Sequence, residues 1–213
     1  MRALLVTVLL TSSALAACGA EAPQPSPVGT EAPVIVPQSP GATARTATPG
    51  ERIGQVPATP TAADVRFAEG MIPHHRQALE MTALAANRTT TASVLGFAEQ
   101  IALSQQPEIT IMSDWLAALG RRVPFGHDHR GMEGYGMATE EQLKALRAAE
   151  GGVFDRMFLQ LMIRHHEGAL KMAEEELAGG RDQRMRLMAR DMYAGQGIEI
   201  ARMRKILDKL PAR

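Results

Sequence analysis

The chain repeats itself at an offset of 91 positions, which is the distance in sequence from Asp64 to Asp155. At this offset two adjacent histidine pairs coincide, and the agreement continues without a gap through the following forty residues. Self-similarity of this length indicates that one structural unit is present twice. The repeat therefore predicts a single domain over 61–210, made of two related halves, 61–120 and 153–210, that are joined by a linker over 121–152.

Each half is predicted to contain two helices, because apolar residues recur at spacings of three and four and no segment alternates as a strand would. The four predicted helices run from Thr61 to the segment ANRTTT, from Ala92 to Leu119, from Val153 to Ala178 and from Asp182 to Leu210. A capping box in TEEQ, with Thr139 as N-cap, predicts a short extra helix in the linker. The expected fold is all-α, a four-helix bundle built from two tandem helical hairpins.

Two prolines lie inside predicted helices of the first half. Pro73 and Pro107 each remove a backbone hydrogen bond and crowd the preceding turn, so a kink is expected at both positions. The second half has Arg164 and Ile198 at the equivalent places. We therefore expect the second half to hold any shared ligand more tightly than the first.

Helical spacing turns a set of polar residues toward the core in each half. Asp64 and His75 are eleven residues apart and fall about 20° from each other around the first helix. Burying such groups without partners costs several kcal/mol, so something must satisfy them. In both halves the set has the same members, Asp64, Met71, His74, His75, Gln105 and Glu108 in the first and Asp155, Met162, His165, His166, Gln196 and Glu199 in the second.

Two interpretations of these groups remain open. In the first they form a structural hydrogen-bond network, in which His75 bonds Glu108 or Asp64 and the glutamines complete the set. The second half would repeat this with His166 and Glu199 or Asp155. In the second interpretation the histidines, methionines and carboxylates ligate a metal ion. A di-iron oxidase is disfavoured, since its Glu and Glu-x-x-His pattern is missing.

The linker offers a second group of candidate ligands in HDHRGMEGYGM, at 127–137. His127, His129, Met132 and Met137 combine imidazole with thioether, which suits a soft or borderline cation such as copper. A polar, glycine-rich connector with incidental histidines remains the alternative. No nucleophile for hydrolytic chemistry is recognisable, and we do not expect an enzyme.

The first 60 residues predict export and anchoring. Residues 1–18 combine an early Arg2, an apolar run and small residues, as a secretory signal does. They end in LAACG, which resembles a bacterial lipobox, so Cys18, the only cysteine of the chain, is the expected site of lipidation. Residues 19–60 are rich in Pro, Ala and Thr and predict a disordered tether. A formal net charge of +0 gives no basic footprint for nucleic acid.

Several strings of the domain resemble the bacterial domain-of-unknown-function 305 family. They are DVRFAEGMIPHHRQALEM, QQPEITIMSDWL, GMEGYGMATEEQLKAL, FDRMFLQLMIRHHEGALKMA and QGIEIARM. The resemblance covers about residues 61–210 and implies a ferritin-like bundle, usually exported. Some members of the family are copper-binding periplasmic proteins with His and Met ligands. Carried over, these are His74, His75, His165 and His166, with Met71 and Met162 among the motif methionines.

Together these observations predict a protein on the extracytoplasmic side, tethered to a lipid bilayer through Cys18, that binds a transition metal for buffering, transfer or tolerance. Copper is the first candidate, with silver or zinc as alternatives. A metal-free helical scaffold or partner-binding module of the cell envelope is the second hypothesis, and a redox enzyme that uses a bound metal stays open as a third.

Overall fold

The computed structural model describes residues 35–36, 43–46, 59–124 and 134–211. The chain divides into two compact units, Met1–Gln55 and Val56–Arg213. In the first unit, strands β1 (Ile35–Val36) and β2 (Arg45–Thr46) pair antiparallel. This pair lies in the segment where a tether is expected, and the flexibility of that segment stays a prediction.

The described part of the second unit is helical, and the all-α prediction is confirmed. The described helix ends differ from the predicted ones by about two residues at most. In chain order the helices are α1 (Ala62–Arg88), α2 (Ala92–Ala118), α3 (Glu140–Ala148), α4 (Gly151–Gly179) and α5 (Gln183–Lys209).

Local sequence signals explain several of these ends. Thr139 caps α3 in the predicted capping box with Gln142. A second capping box, between Thr61 and Asp64, begins α1. Gly120 ends α2 with a positive φ of 67°, a backbone conformation that glycine adopts without strain. Both α1 and α2 extend past the prolines that they contain, Pro73 and Pro107.

The four long helices pack as two hairpins. Helix α1 packs on α2, α4 packs on α5, and α1 lies along α4, so the two halves meet mainly through their first helices. Contacts between α2 and α5 are few. Within the described residues, no helix is both long and apolar enough to cross a membrane.

The core consists of two apolar clusters. One contains Met81, Phe97 and Phe158, and the other contains Phe67, Trp115 and Met185. Along α1 the cluster that contains Phe67 ends at Ile72, and the cluster that contains Met81 begins at Ala78. The histidine pairs therefore interrupt the apolar core midway along α1 and α4.

Candidate metal centre

Four imidazole rings follow one another across the contact between α1 and α4. The ring centroids of His75 and His74 are 6.4 Å apart, those of His74 and His165 are 3.7 Å apart, and those of His165 and His166 are 6.3 Å apart. All four side chains are fully buried. The two predicted pairs thus form one histidine core, centred where the two halves of the repeat meet.

Each outer histidine is bonded to a glutamate of its own hairpin. His75 Nε2 lies 2.7 Å from Glu108 Oε2, and His166 Nε2 lies 2.9 Å from Glu199 Oε2. Because a carboxylate oxygen accepts, Nε2 carries a hydrogen, and in the neutral ring Nδ1 then has a free lone pair. Within the described part of the chain, neither Nδ1 atom has a hydrogen-bond partner. Of the two carboxylates predicted for each histidine, the glutamate is the one that binds.

The inner histidines differ from each other. His74 Nε2 donates to the backbone carbonyl of Tyr135 at 3.0 Å. Neither ring nitrogen of His165 makes a hydrogen bond of normal geometry among the described residues, although the backbone of His74 lies near enough to raise its pKa in part. Burial, together with the neighbouring imidazoles, lowers the pKa of His165 well below 6.5, so its ring is neutral and keeps a lone pair.

The glutamines do not complete the network as expected. Gln105 is 2% exposed, yet neither its amide nitrogen nor its amide oxygen has a partner in the described chain. Gln196 Oε1 is likewise unpartnered there. These buried polar atoms, like Nδ1 of His75 and Nδ1 of His166, can accept a further ligand or water.

Asp64 and Asp155 lie away from the histidines. Although Asp64 and His75 share a side of α1, eleven residues of helix separate them by about 16 Å along the axis. Asp64 accepts hydrogen bonds from Thr61 and from the backbone N–H groups of Arg181 and Asp182. The structure thus places Asp64 as a cap of helix ends, apart from the histidine core.

The two aspartates connect the halves reciprocally. Asp64 of the first half holds the α4–α5 turn of the second half through Arg181 and Asp182. Asp155 of the second half accepts a hydrogen bond from Thr91, in the α1–α2 turn of the first half. The TAAD sequence at 61–64 is a capping-box signal that could have identified this role of Asp64 beforehand.

The motif methionines remain candidates. Met71 and Met162 are fully buried, and each lies one helical turn before the first histidine of its pair. Met71 belongs to one apolar cluster and Met162 to the other. Each apolar cluster therefore contains one methionine that is close in sequence to a histidine pair.

A short segment, residues 134–138, which we call the strap, lies across α4. The carbonyl oxygen of Tyr135 would be 1.7 Å from a Cβ atom at Gly168, so only glycine fits at that helix position. The Tyr135 hydroxyl donates to Glu175 at 2.7 Å. The side-chain amide of Gln77 bonds both the N–H and the carbonyl of Ala138, at 2.7 and 3.0 Å. The strap thus brings a backbone carbonyl to His74.

The sequence did not predict the strap. A glycine inside a helical pattern, as at Gly168, often marks a close approach of another backbone and was the available signal. Among the linker candidates, Met137 is partly buried against the apolar cluster of Phe67. His127, His129 and Met132 lie outside the described residues, as does Cys18.

The donor chemistry restricts the metals that would fit. In the described part of the chain, no three side chains of His, Cys, Asp or Glu are grouped as ligands of one ion. The available donors are neutral imidazole nitrogens, amide oxygens and thioethers in an apolar setting. Such donors suit soft or borderline cations and disfavour calcium or magnesium, which require several oxygen ligands.

The fold and the site define a class of all-α protein in which two tandem helical hairpins enclose a buried histidine core. The chain belongs to the DUF305 family (Domain of unknown function), whose pattern matches residues 64–207.

Solved structures of this family are similar to the chain. The crystal structure of a DUF305 fragment from Deinococcus radiodurans is 31% identical, with a TM-score of 0.65, over 70% of this chain and 98% of that one. A putative secreted DUF305 protein from Streptomyces coelicolor is also 31% identical, with a TM-score of 0.65, over 71% and 95%. No curated protein sequence matches the chain.

CopM is another similar structure, solved with metals bound. Its Cu(II)-bound form is 31% identical to the chain, with a TM-score of 0.59, over 68% of this chain and 95% of CopM. CopM has also been solved in Cu(I)-bound and Ag-bound forms.

Proposed function

We propose that this protein binds a transition-metal ion, copper first and silver or zinc as alternatives, in its histidine core. The observation that carries the proposal is His165, a fully buried and neutral imidazole that makes no hydrogen bond of normal geometry within the described chain. A buried polar group without a partner costs stability, and a bound ion would recover it. The similarity to CopM, which has been solved with Cu(I), Cu(II) and silver, supports this choice of metals.

The residues would act in two layers. The candidate donors would be the imidazole nitrogens of His165, His75 and His166 and the thioethers of Met71 and Met162, spread along the row of rings and not grouped around one position. Glu108 and Glu199 would orient the outer rings from behind, as carboxylates commonly do for metal-bound histidines. Imidazole and thioether ligands would bind copper reversibly. We expect the protein to take up and release the ion without catalytic turnover.

The cellular setting belongs to the same proposal. The signal-like residues 1–18 and the lipobox-like LAACG would place the domain on the extracytoplasmic side, held to a membrane through lipidated Cys18. There the protein would buffer copper or pass it to an acceptor. The similar structure from Streptomyces coelicolor, described as that of a putative secreted protein, agrees with export.

A metal-free scaffold is the second candidate, and the His75–Glu108 and His166–Glu199 hydrogen bonds favour it. In that case His166→Gln would cost about 1–3 kcal/mol of stability whether or not metal is present.

Thermal unfolding with and without Cu(I), Ag(I), Cu(II) and Zn(II) separates the two candidates. A bound ion at a hundredfold excess over its Kd should add about 2.7 kcal/mol to the wild type. That gain should shrink in His165→Gln and in Met71→Leu. Met185→Leu is the matched control, because Met185 is equally buried in the same apolar cluster as Met71. Melting temperatures that none of the four ions changes would support the metal-free scaffold.

A further inference from the structure

The two histidine–glutamate pairs are related by the repeat but differ in their access to solvent. The side chain of Glu108 is 27% exposed, whereas that of Glu199 is 11% exposed. Their partners, His75 and His166, are both fully buried. The glutamate that contacts the histidine core is therefore more accessible to solvent at Glu108 than at Glu199.

Glu199 is covered by groups from α2 and α5. Gln100 Nε2 lies 3.4 Å from Glu199 Oε1, and Arg202 donates to Gln100 Oε1 at 2.9 Å. The guanidinium of Arg202 also lies over the ring of Phe97, 5.4 Å from its centroid. These contacts close the surface over the second pair.

The equivalent positions around Glu108 hold residues of different chemistry. At the 91-residue offset, Gln100 corresponds to Asp191, Arg202 to Ile111 and Phe97 to Met188. Instead of closing over Glu108, these three residues line a groove between α2 and α5. Glu108, Asp114 and Arg184 complete the lining of this groove, which has a volume of ≈ 540 Å³.

The groove carries negative charge and a soft donor. Three carboxylates, those of Glu108, Asp114 and Asp191, face one guanidinium, that of Arg184. Asp191 also contacts Arg190 at 3.2 Å, but both side chains are well exposed, so the pair is weak. A cleft of one sign of charge raises the local concentration of the opposite ion, and the thioether of Met188 suits a soft cation.

We propose that this groove is the entrance through which a metal cation reaches the histidine core, arriving at Glu108 and His75. This inference rests on the metal-binding function proposed above. The ion would be attracted by Asp114 and Asp191, contact Met188, and pass Glu108 to the imidazole that Glu108 orients. The second pair, behind Gln100 and Arg202, would receive metal only through the core.

The repeat supplies the variant that tests this entrance. The double substitution Asp191→Gln with Ile111→Arg transfers the closed arrangement of the second half to the first. Both positions are exposed to solvent, so the fold should persist, and circular dichroism checks it. We expect Ag(I) to bind with unchanged stoichiometry but to associate on the order of tenfold more slowly at low salt.

A metal-free readout accompanies this measurement. Diethyl pyrocarbonate, followed by peptide mass spectrometry, should modify His75 faster than His166 in the wild type. The difference should vanish in the double variant. The reverse variant, Gln100→Asp with Arg202→Ile, should instead speed modification of His166.

The outcomes separate the two proposals. Equal modification of His75 and His166 in the wild type, or silver association that is unchanged in the double variant, would overturn the entrance. A wild type that binds no silver, copper or zinc would contradict the proposed function, and the modification rates would still decide whether the groove is the path to His75.

Discussion

The carboxyl group of Glu176 in α4 lies buried beside the carboxylate of Asp64 in α1. Two carboxyl groups that are buried side by side do not both ionise readily, so one of them holds a proton, and here it is Glu176. Burial, then the neighbouring carboxylate of Asp64, raise the pKa of Glu176 to about 8. Burial opposes the shift at Asp64, but hydrogen bonds from Thr61 and Arg181, together with the protonated Glu176 beside it, lower the pKa of Asp64 to about 2. The pair therefore shares one proton at neutral pH.

This pair predicts how stability depends on pH. Glu176 has a raised pKa in the folded state, so its contribution is complete below its usual value of 4.5 and is lost as pH rises through about 8. Asp64 has a lowered pKa, so its contribution is present above 3.8 and lost as pH falls through about 2. The pair should stabilise the fold most at about pH 4 to 5.

Glu176→Gln tests the pair, because an amide can donate to Asp64 without titrating. We expect urea unfolding of the variant to show little loss of stability between pH 6 and about pH 9, where the wild type weakens. Ala85 occupies the position equivalent to Glu176 in the first half, beside no such pair. A wild type and a variant with parallel stability curves would show that Glu176 holds no proton at neutral pH.

Gly168→Ala should displace the strap. The added Cβ would lie 1.7 Å from the Tyr135 carbonyl oxygen, which also accepts from His74. We expect a loss of about 1–3 kcal/mol in urea unfolding. Gly197→Ala is the control, since a Cβ atom at that position would meet nothing within 4 Å and alanine favours a helix. If the two variants were equally stable, the close approach of the strap would be refuted.

Asp64→Ala should lower the stability of the fold without changing the amount of metal bound. The substitution leaves the N–H groups of Arg181 and Asp182 without their acceptor, at a cost of about 1–3 kcal/mol. Because Asp64 lies about 16 Å along α1 from His75, silver stoichiometry should not change. A loss of bound silver in a folded Asp64→Ala protein would restore Asp64 as a ligand.

The helices were predictable because each depends on local signals, apolar spacing and caps such as Thr139. The burial of the histidine pairs also followed, since residues three and four apart share a helix face. Glu108 and Glu199 were each one of two carboxylates predicted to bond the outer histidines, and spacing within a helix could not decide between them. The placement of Asp64 did not, because angular position around a helix ignores the rise along its axis. The strap depends on contacts between segments distant in sequence, such as Gln77 with Ala138, which no local pattern encodes.

Cys18→Ser should release the protein from membranes. If LAACG directs lipidation, the variant should leave the detergent phase in Triton X-114 partitioning, whereas the wild type stays in it. Ser13→Ala, a change upstream of LAACG, is the control. Unchanged partitioning of the cysteine variant would exclude the lipid anchor.

The linker candidates require substitution rather than deletion, because removing 127–137 would also remove Tyr135 and Gly136 of the strap. The triple variant His127→Ala, His129→Ala and Met132→Ala leaves the strap intact. If these side chains capture a soft cation, copper stoichiometry measured by mass spectrometry should fall while helix content stays the same. Equal copper stoichiometry in the wild type and the triple variant would show that the segment is only a connector.

The reciprocal bonds of Asp64 and Asp155 have a consequence for how such a chain could have arisen. Each hairpin provides the carboxylate that the other hairpin's turn requires, so a lone hairpin would meet this need only by pairing with a second copy of itself. Fusion of two copies would keep both exchanges within one molecule. After fusion, the two copies could diverge at positions that take no part in the hydrogen bonds of Asp64 and Asp155. The difference between Asp191 and its equivalent Gln100 is a divergence of this kind.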